Sequence, residues 1–205
     1  MQSLIELAGG RRITIRPLAP ADRDALAQGF ERLGPQSRYM RFFAPVVRLT
    51  DSQLDYLTDI DHHDHEALVA VDVDTREGVG VARFVRVEER VAEPAVVVAD
   101  DWQRRGIGAL LLDELANRAR AEGIDTFLAL VLADNAAALA LLKSLGDVEM
   151  IDHGGEVEVR IALRDKLGAV TPLHKLLRHA AEETLKPLVS FWHTASARER
   201  RGQDA

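Results

Sequence analysis

The sequence predicts a mixed α/β domain over residues 1–165, and three observations predict it. Short runs rich in Val, Ile and Leu recur along the chain, at 13–18, 67–73, 79–87, 93–99, 127–132, 148–151 and 157–163. Between several of them lie stretches whose apolar residues repeat at helical spacing. One valine-rich run leads without interruption into a glycine-bearing loop and a strong helical pattern, the order of an α/β unit.

Composition narrows the class. The chain has 205 residues, long enough for one domain with a proper core. Its 47% hydrophobic and 29% charged residues fit a globular protein and not a disordered one. The absence of cysteine excludes disulfides, thiolate metal sites and a cysteine nucleophile. A formal net charge of -7 argues against general nucleic-acid binding, which needs a basic surface to release counterions. Residues 1–18 contain no long apolar run, so neither a leader peptide nor a membrane span is expected, and the cytoplasm is the expected location.

Taken in order, the run Ile13-Thr14-Ile15-Arg16-Pro17-Leu18 alternates like a half-buried strand, and residues 20–33 follow with helical periodicity. A second helix is expected after Thr50, a candidate cap, with Leu54, Leu57 and Ile60 on one face. The runs 67–73 and 79–87 flank Asp74-Thr75-Arg76-Glu77-Gly78, a turn composition, and should form a hairpin. The strand 93–99 feeds a helix over 107–121 that Gly123 stops. A short strand, 127–132, precedes a helix begun by Asp134-Asn135 and ended at Gly146. Two last strands flank Asp152-His153-Gly154-Gly155. Beyond Pro172 an amphipathic helical extension is expected within 166–195, either capping its own core or pairing two copies as a homodimer, and 196–205 should form a disordered tail.

The chemistry concentrates in Val96-Val97-Val98-Ala99-Asp100-Asp101-Trp102-Gln103-Arg104-Arg105-Gly106-Ile107-Gly108. A strand, a turn and a helix start follow one another there, and first-turn amides at the positive end of a helix dipole can hold phosphate oxygens. Gly106 and Gly108 remove side chains that would keep a ligand away. Arg104 and Arg105 either add charge-assisted contacts or are simply solvated. A Walker loop would need Lys-Ser/Thr after the glycine where Ala109-Leu110 stand, and a dinucleotide fingerprint would need a small residue at Leu111.

The pattern Gln103-x-x-Gly106-x-Gly108 after a valine-rich strand resembles motif A of the GCN5-related N-acetyltransferases. Asn135, Ala138, Leu141 and Leu145-Gly146 resemble the family's next helix, and the order of elements is similar from Ile13 to Leu163. The segments Ser37-Arg38-Tyr39-Met40-Arg41-Phe42-Phe43 and Asp61-His62-His63-Asp64-His65 look like the acetyltransferase domain of bacterial protein-lysine acetyltransferases. This resemblance implies a mostly antiparallel sheet of six to seven strands, splayed where acetyl-CoA enters. It implies that pantetheine bonds along Ala95, Val96 and Val98, and that Gln103, Arg104, Arg105, Gly106, Ile107, Gly108, Ala109 and Asn135 contribute to the cofactor site. The acceptor is then a primary amine, on a protein lysine or a small molecule.

Acyl transfer needs a neutral amine, whereas a lysine-like amine is mostly protonated near neutral pH. Glu93 resembles the family's general base, and partial burial is expected to raise its pKa toward the working range. The same residue in a solvent-facing position would be an ordinary strand glutamate, and the protein a non-catalytic acetyl-CoA-binding sensor. Leu142 stands where many family members place the tyrosine that protonates the thiolate, which leaves Tyr39 as a substitute or water as the acid. Asp61, His62, His63, Asp64 and His65 have metal-ligand chemistry, yet consecutive loop residues do not converge readily on one ion, so no metal is expected.

Overall fold

A computed structural model describes residues 3–164. The expected helical extension within 166–195, the tail 196–205 and any pairing of copies through that extension lie outside the described residues. The described chain runs β1 (Ser3–Glu6), β2 (Arg12–Pro17), α1 (Arg23–Glu31), α2 (Pro35–Phe42), α3 (Asp51–Thr58), β3 (His65–Asp72), β4 (Gly78–Glu88) and β5 (Val91–Val98). It continues through α4 (Ile107–Ala121), β6 (Thr126–Leu132), α5 (Ala136–Lys143), β7 (Gly146–Asp152) and β8 (Glu156–Leu163).

The strands form one sheet in the order β1-β2-β3-β4-β5-β6-β8-β7, antiparallel everywhere except at the β5–β6 junction. The sheet has eight strands where six to seven were expected. The addition is β1, which pairs with β2 through a turn closed by Leu7 N–H donating to the Arg11 carbonyl at 2.8 Å. The helices also number one more than the sequence suggested before β3: α2 is short, polar on average and has no buried residue of its own.

Local chemistry accounts for most of the boundaries. Thr50 caps α3 by accepting from Gln53 N–H at 3.3 Å, and the Gln53 side chain accepts in turn from Thr50 N–H at 2.8 Å, a capping box. Asn135 caps α5 by accepting from Ala138 N–H at 3.1 Å. Gly123 takes a φ of 76° just after α4 and turns the chain back toward the sheet.

The two faces of the sheet carry different layers. On one, α4 buries Ile107, Leu111, Leu112, Leu115, Ala116 and Ala119, a helical stripe, against Leu68, Ala82, Phe84 and Ala92 of the central strands. On the other, Ala67 and Val69 pack with Leu18, Leu26 and Ile60, beneath the α1–α3 layer. Register assigns the residues between these faces. Cross-strand partners share a face, so Glu93, Val85 and His65 form one row on the α1–α3 side, and Ala95, Arg83 and Ala67 the next.

Gly29 lies inside α1, and a Cβ added there meets nothing within 4 Å. Gly29→Ala is therefore expected to stabilise the fold by about 0.5–1 kcal/mol through the lower entropy of the unfolded chain, read as a raised midpoint in urea.

Candidate active site

The groove begins where two strands part. β5 pairs with β6 only at Val91↔Thr126 and Ala92↔Phe127, while β6 continues beside β8 to Leu132. From Glu93 onward one edge of β5 is therefore open. Ala99 N–H donates to the Val79 carbonyl at 2.9 Å, so by the alternation of an antiparallel ladder residues 93, 95 and 97 direct their main-chain groups to β4. Pro94, Val96 and Val98 direct theirs to the open edge. Pro94, lacking an N–H, occupies a position that no strand pairs with on that side. Of the residues expected to meet the pantetheine, Val96 and Val98 offer main-chain groups, whereas Ala95 is committed to β4 and contributes its methyl to the wall.

The open edge leads to the start of α4. Gly106 takes the N-cap position with φ 83°, and Arg104 also lies in the left-handed region at φ 59°. Among the described residues, no acceptor meets the main-chain N–H groups of Arg104 through Ala109; the first amide of this region with a partner is Leu110, donating to the Gly106 carbonyl at 3.1 Å. Converging amides with no internal acceptor, at the positive end of a 15-residue helix, suit a diphosphate. The two glycines differ in their surroundings. A Cβ on Gly106 would meet open space, and its positive φ adds a conformational need for glycine. A Cβ on Gly108 would sit 3.2 Å from Leu141 Cδ1, so its need is the close packing of α4 on α5.

Gln103 does not point its side chain at this cradle. Its Nε2 donates to the Val98 carbonyl at 3.1 Å, to Ser37 Oγ at 3.2 Å and to Asp100 Oδ1 at 3.1 Å. Asp100 in turn accepts from Gly34 N–H at 3.0 Å and from the Ser37 hydroxyl at 2.6 Å. The loop thus fixes the first turn of α2, and α2 supplies Met40 and Arg41 to the groove. Arg105 folds back over Trp102, 5.8 Å from the ring centroid, while Arg104 is exposed beside the amides.

Glu93 lines the groove one residue beyond the last β5–β6 pair. It is exposed, contrary to the partial burial expected of it. A cluster that sequence reasoning did not assemble surrounds it. Arg41 reaches it from α2, with burial lowering the Arg41 pKa and the Glu93 charge opposing that shift. Tyr56 of α3 is raised by burial and feels both Arg83 and Glu93, and its ring lies 5.2 Å from that of His65. Arg83, only 7% exposed, directs Nη1 to His65 Nε2 at 3.2 Å and Nη2 to the Leu57 carbonyl at 3.3 Å. Burial, then the Arg83 cation, push His65 down to about 4, so its ring is neutral near pH 7. Arginine can only donate, so Nε2 is the acceptor.

The opposite wall includes Asn135, Ala138 and Leu142. Leu142 is buried and apolar at the position where the family resemblance implies a proton donor, and Tyr39 is exposed and is not among the residues lining the groove. The histidine-rich segment is engaged in contacts within the fold, local and long-range. Asp61 accepts from the amides of His63, Asp64 and His65 at 2.9, 2.9 and 2.8 Å, and His62 Nδ1 meets Glu66 at 2.7 Å. Among the described residues no three His, Asp or Glu side chains form a group able to hold a metal ion. No helix among them is long and apolar enough to cross a membrane.

Comparison with known proteins agrees with this geometry. The model of the acetyltransferase (GNAT) family matches residues 36–147. A Pseudomonas aeruginosa protein named as an acetyltransferase is 36% identical over 163 residues, 77% of this chain and 87% of that one. The acetyltransferase Pat of Mycolicibacterium smegmatis is 31% identical over 159 residues, 77% of this chain but 47% of its own, so the chain spans about half of that relative. The GNAT domain of S. lividans PAT superposes with a TM-score of 0.72 at 28% identity, covering 79% of this chain and 97% of that domain. With a matched motif, a splayed sheet and a free amide cradle in one place, the chain belongs to the GNAT family of acyl-CoA-dependent N-acetyltransferases.

Proposed function

We propose that the chain transfers the acetyl group of acetyl-CoA to a primary amine by direct attack, with Glu93 as general base. The observation that carries this reading is the continuity of the acceptor-free amides at Arg104–Ala109 with the open edge of β5, along which Glu93 is placed. The amides hold the diphosphate. The main-chain groups of Val96 and Val98 that face the gap take the amide arm of pantetheine as an added strand would, except that the Val98 carbonyl already accepts from Gln103. The thioester then lies toward Glu93, which removes a proton from the attacking nitrogen, directly or through one water. The nitrogen–acyl bond forms, the carbon–sulfur bond breaks, and with Leu142 in the wall the thiolate takes its proton from solvent.

CoA release with lysine peptides, polyamines and small amino compounds, beside an acetyl-CoA titration, tests this. Turnover on at least one amine is expected. Binding without turnover on any of them would instead make the chain an acyl-CoA sensor. Gly106→Val probes the cradle separately. A β-branched residue at φ 83° is strained by about 1–3 kcal/mol, so the loop should leave this conformation and acetyl-CoA affinity should fall at least about 10-fold. The same strain limits the fall in melting temperature to roughly 2–12 °C, and calorimetric titration below that transition reads the affinity.

A further inference from the structure

We propose that the acceptor is an amino acid-like molecule, a primary amine that also bears a carboxylate on an apolar frame, and that Arg83 and Arg41 bind the carboxylate. The inference rests on the reading of Glu93 as the place where the amine is deprotonated. Arg83 is the buried arginine of the described residues, at 7% exposure, and no carboxylate lies within ion-pair distance of it. The contrast with other part-buried arginines is direct: Arg16 holds Asp22 through two bonds of 2.7 and 2.6 Å, and Arg86 pairs with Asp64. A cation removed from water normally has such a partner, because desolvation is otherwise uncompensated.

The Arg83 guanidinium carries five donors, of which the protein engages those to His65 and Leu57. His65 is neutral and gives no counter-charge. Arg41 adds a second cation close enough to disfavour the charge on Arg83; it feels the Glu93 charge, but among the described residues no carboxylate lies in ion-pair contact with it. Both arginines line an apolar cavity on the α1–α3 side of the sheet, walled by Leu26, Phe30, Val69, Val81 and Val97. Arg41 and Ala95 line both this cavity and the groove that holds Glu93, so the two spaces adjoin. A carboxylate at the arginines, an amine at Glu93 and an apolar frame along the valines complement each part in turn. Bidentate pairing with a carboxylate also uses the planar fork that a lysine could not supply.

The test compares acids with their own amides. Leucine, phenylalanine, 6-aminohexanoate and 8-aminooctanoate are offered with acetyl-CoA beside leucinamide, phenylalaninamide and the two ω-amino amides, and kcat/KM is measured from CoA release. At least one acid should exceed its amide by about 10-fold or more, the scale of a charge-assisted hydrogen bond. Arg83→Gln should erase that preference by lowering kcat/KM for the acid about 10-fold more than for its amide, and Arg83→Lys should restore it only in part. Arg41→Gln gives the same readout should Arg83→Gln fail to fold. Amides used as well as acids by the unaltered protein would overturn the proposal and leave acetyl transfer standing. Equal loss on acids and amides in Arg83→Gln would reduce Arg83 to a structural tie to Leu57, and no turnover on any amine would remove this proposal together with the reading beneath it.

Discussion

Glu93→Gln lowers kcat by about 100-fold or more and leaves acetyl-CoA affinity within a few-fold of the unaltered protein, if the carboxylate moves the proton. The substitution keeps shape and removes basicity, so the groove and the amide cradle, built from other residues, stay in place. The size follows from the acceptor. A lysine-like amine has a pKa of about 10.4, so at pH 7 fewer than about one molecule in a thousand is free to attack. Without a base the variant must wait for that fraction. Its rate should therefore rise about tenfold per pH unit up to the amine's own pKa, while the unaltered enzyme rises less steeply. Steady-state kinetics from pH 6 to 10, with binding titrations at each end, read both effects. A rate unchanged at pH 7 would take Glu93 out of the mechanism, and parallel pH profiles would assign it a place in substrate orientation only.

The features that fix this site differ in how far they could be read in advance. The loop, its strand and its helix were legible because their signals are local: β-branched residues, a glycine-bearing turn and a helical apolar pattern; the positive φ of Gly106 came only with the structure. The caps at Thr50 and Asn135 were legible for the same reason. By contrast α2 is short and polar on average, and it is fixed by Asp100 and Gln103, more than 60 residues away, which engage its first turn. β1 is short, and Ser3-Leu4-Ile5-Glu6 becomes a strand because β2 offers it an edge.

Arg83 shows the limit most clearly. In Val79-Gly80-Val81-Ala82-Arg83-Phe84-Val85 it reads as a polar residue on a solvent face, and its face is in fact covered by α3 through the Leu57 carbonyl. Its neighbours Arg41, Tyr56 and His65 come from three other elements: the register of β3, β4 and β5 sets His65 in the row of Glu93, and α2 and α3 bring Arg41 and Tyr56 to the same face. Gln103 adds a role that the motif alone did not show: its side chain joins β5 to α2, the helix that supplies Arg41 to the groove.

Gly146→Ala should be the most damaging single methyl in the domain. An added Cβ would lie 1.9 Å from the Ala162 carbonyl oxygen and 2.9 Å from its carbon, distances no real Cβ tolerates. The obstacle is main chain, not a side chain that can rotate away. Ala162 cannot retreat, because β8 is held on both flanks, with Ala162 opposite Thr126 of β6 and Asp147 of β7. Relief has to come from β7, which must give up its first pairs with β8 and pull Leu145 from the core. That places the cost at about 3 kcal/mol or more, the upper end for overpacking. For a domain of this size the melting temperature should fall by roughly 6–12 °C. The contrast with Gly29→Ala, the same methyl in open space and expected to stabilise, separates steric cost from any general effect of removing glycine. Below the melting transition, acetyl-CoA affinity should persist in Gly146→Ala, since the cradle belongs to β5 and α4 and not to the β7 edge. A melting temperature within about 2 °C of the unaltered protein would mean that β7 does not approach β8 this closely.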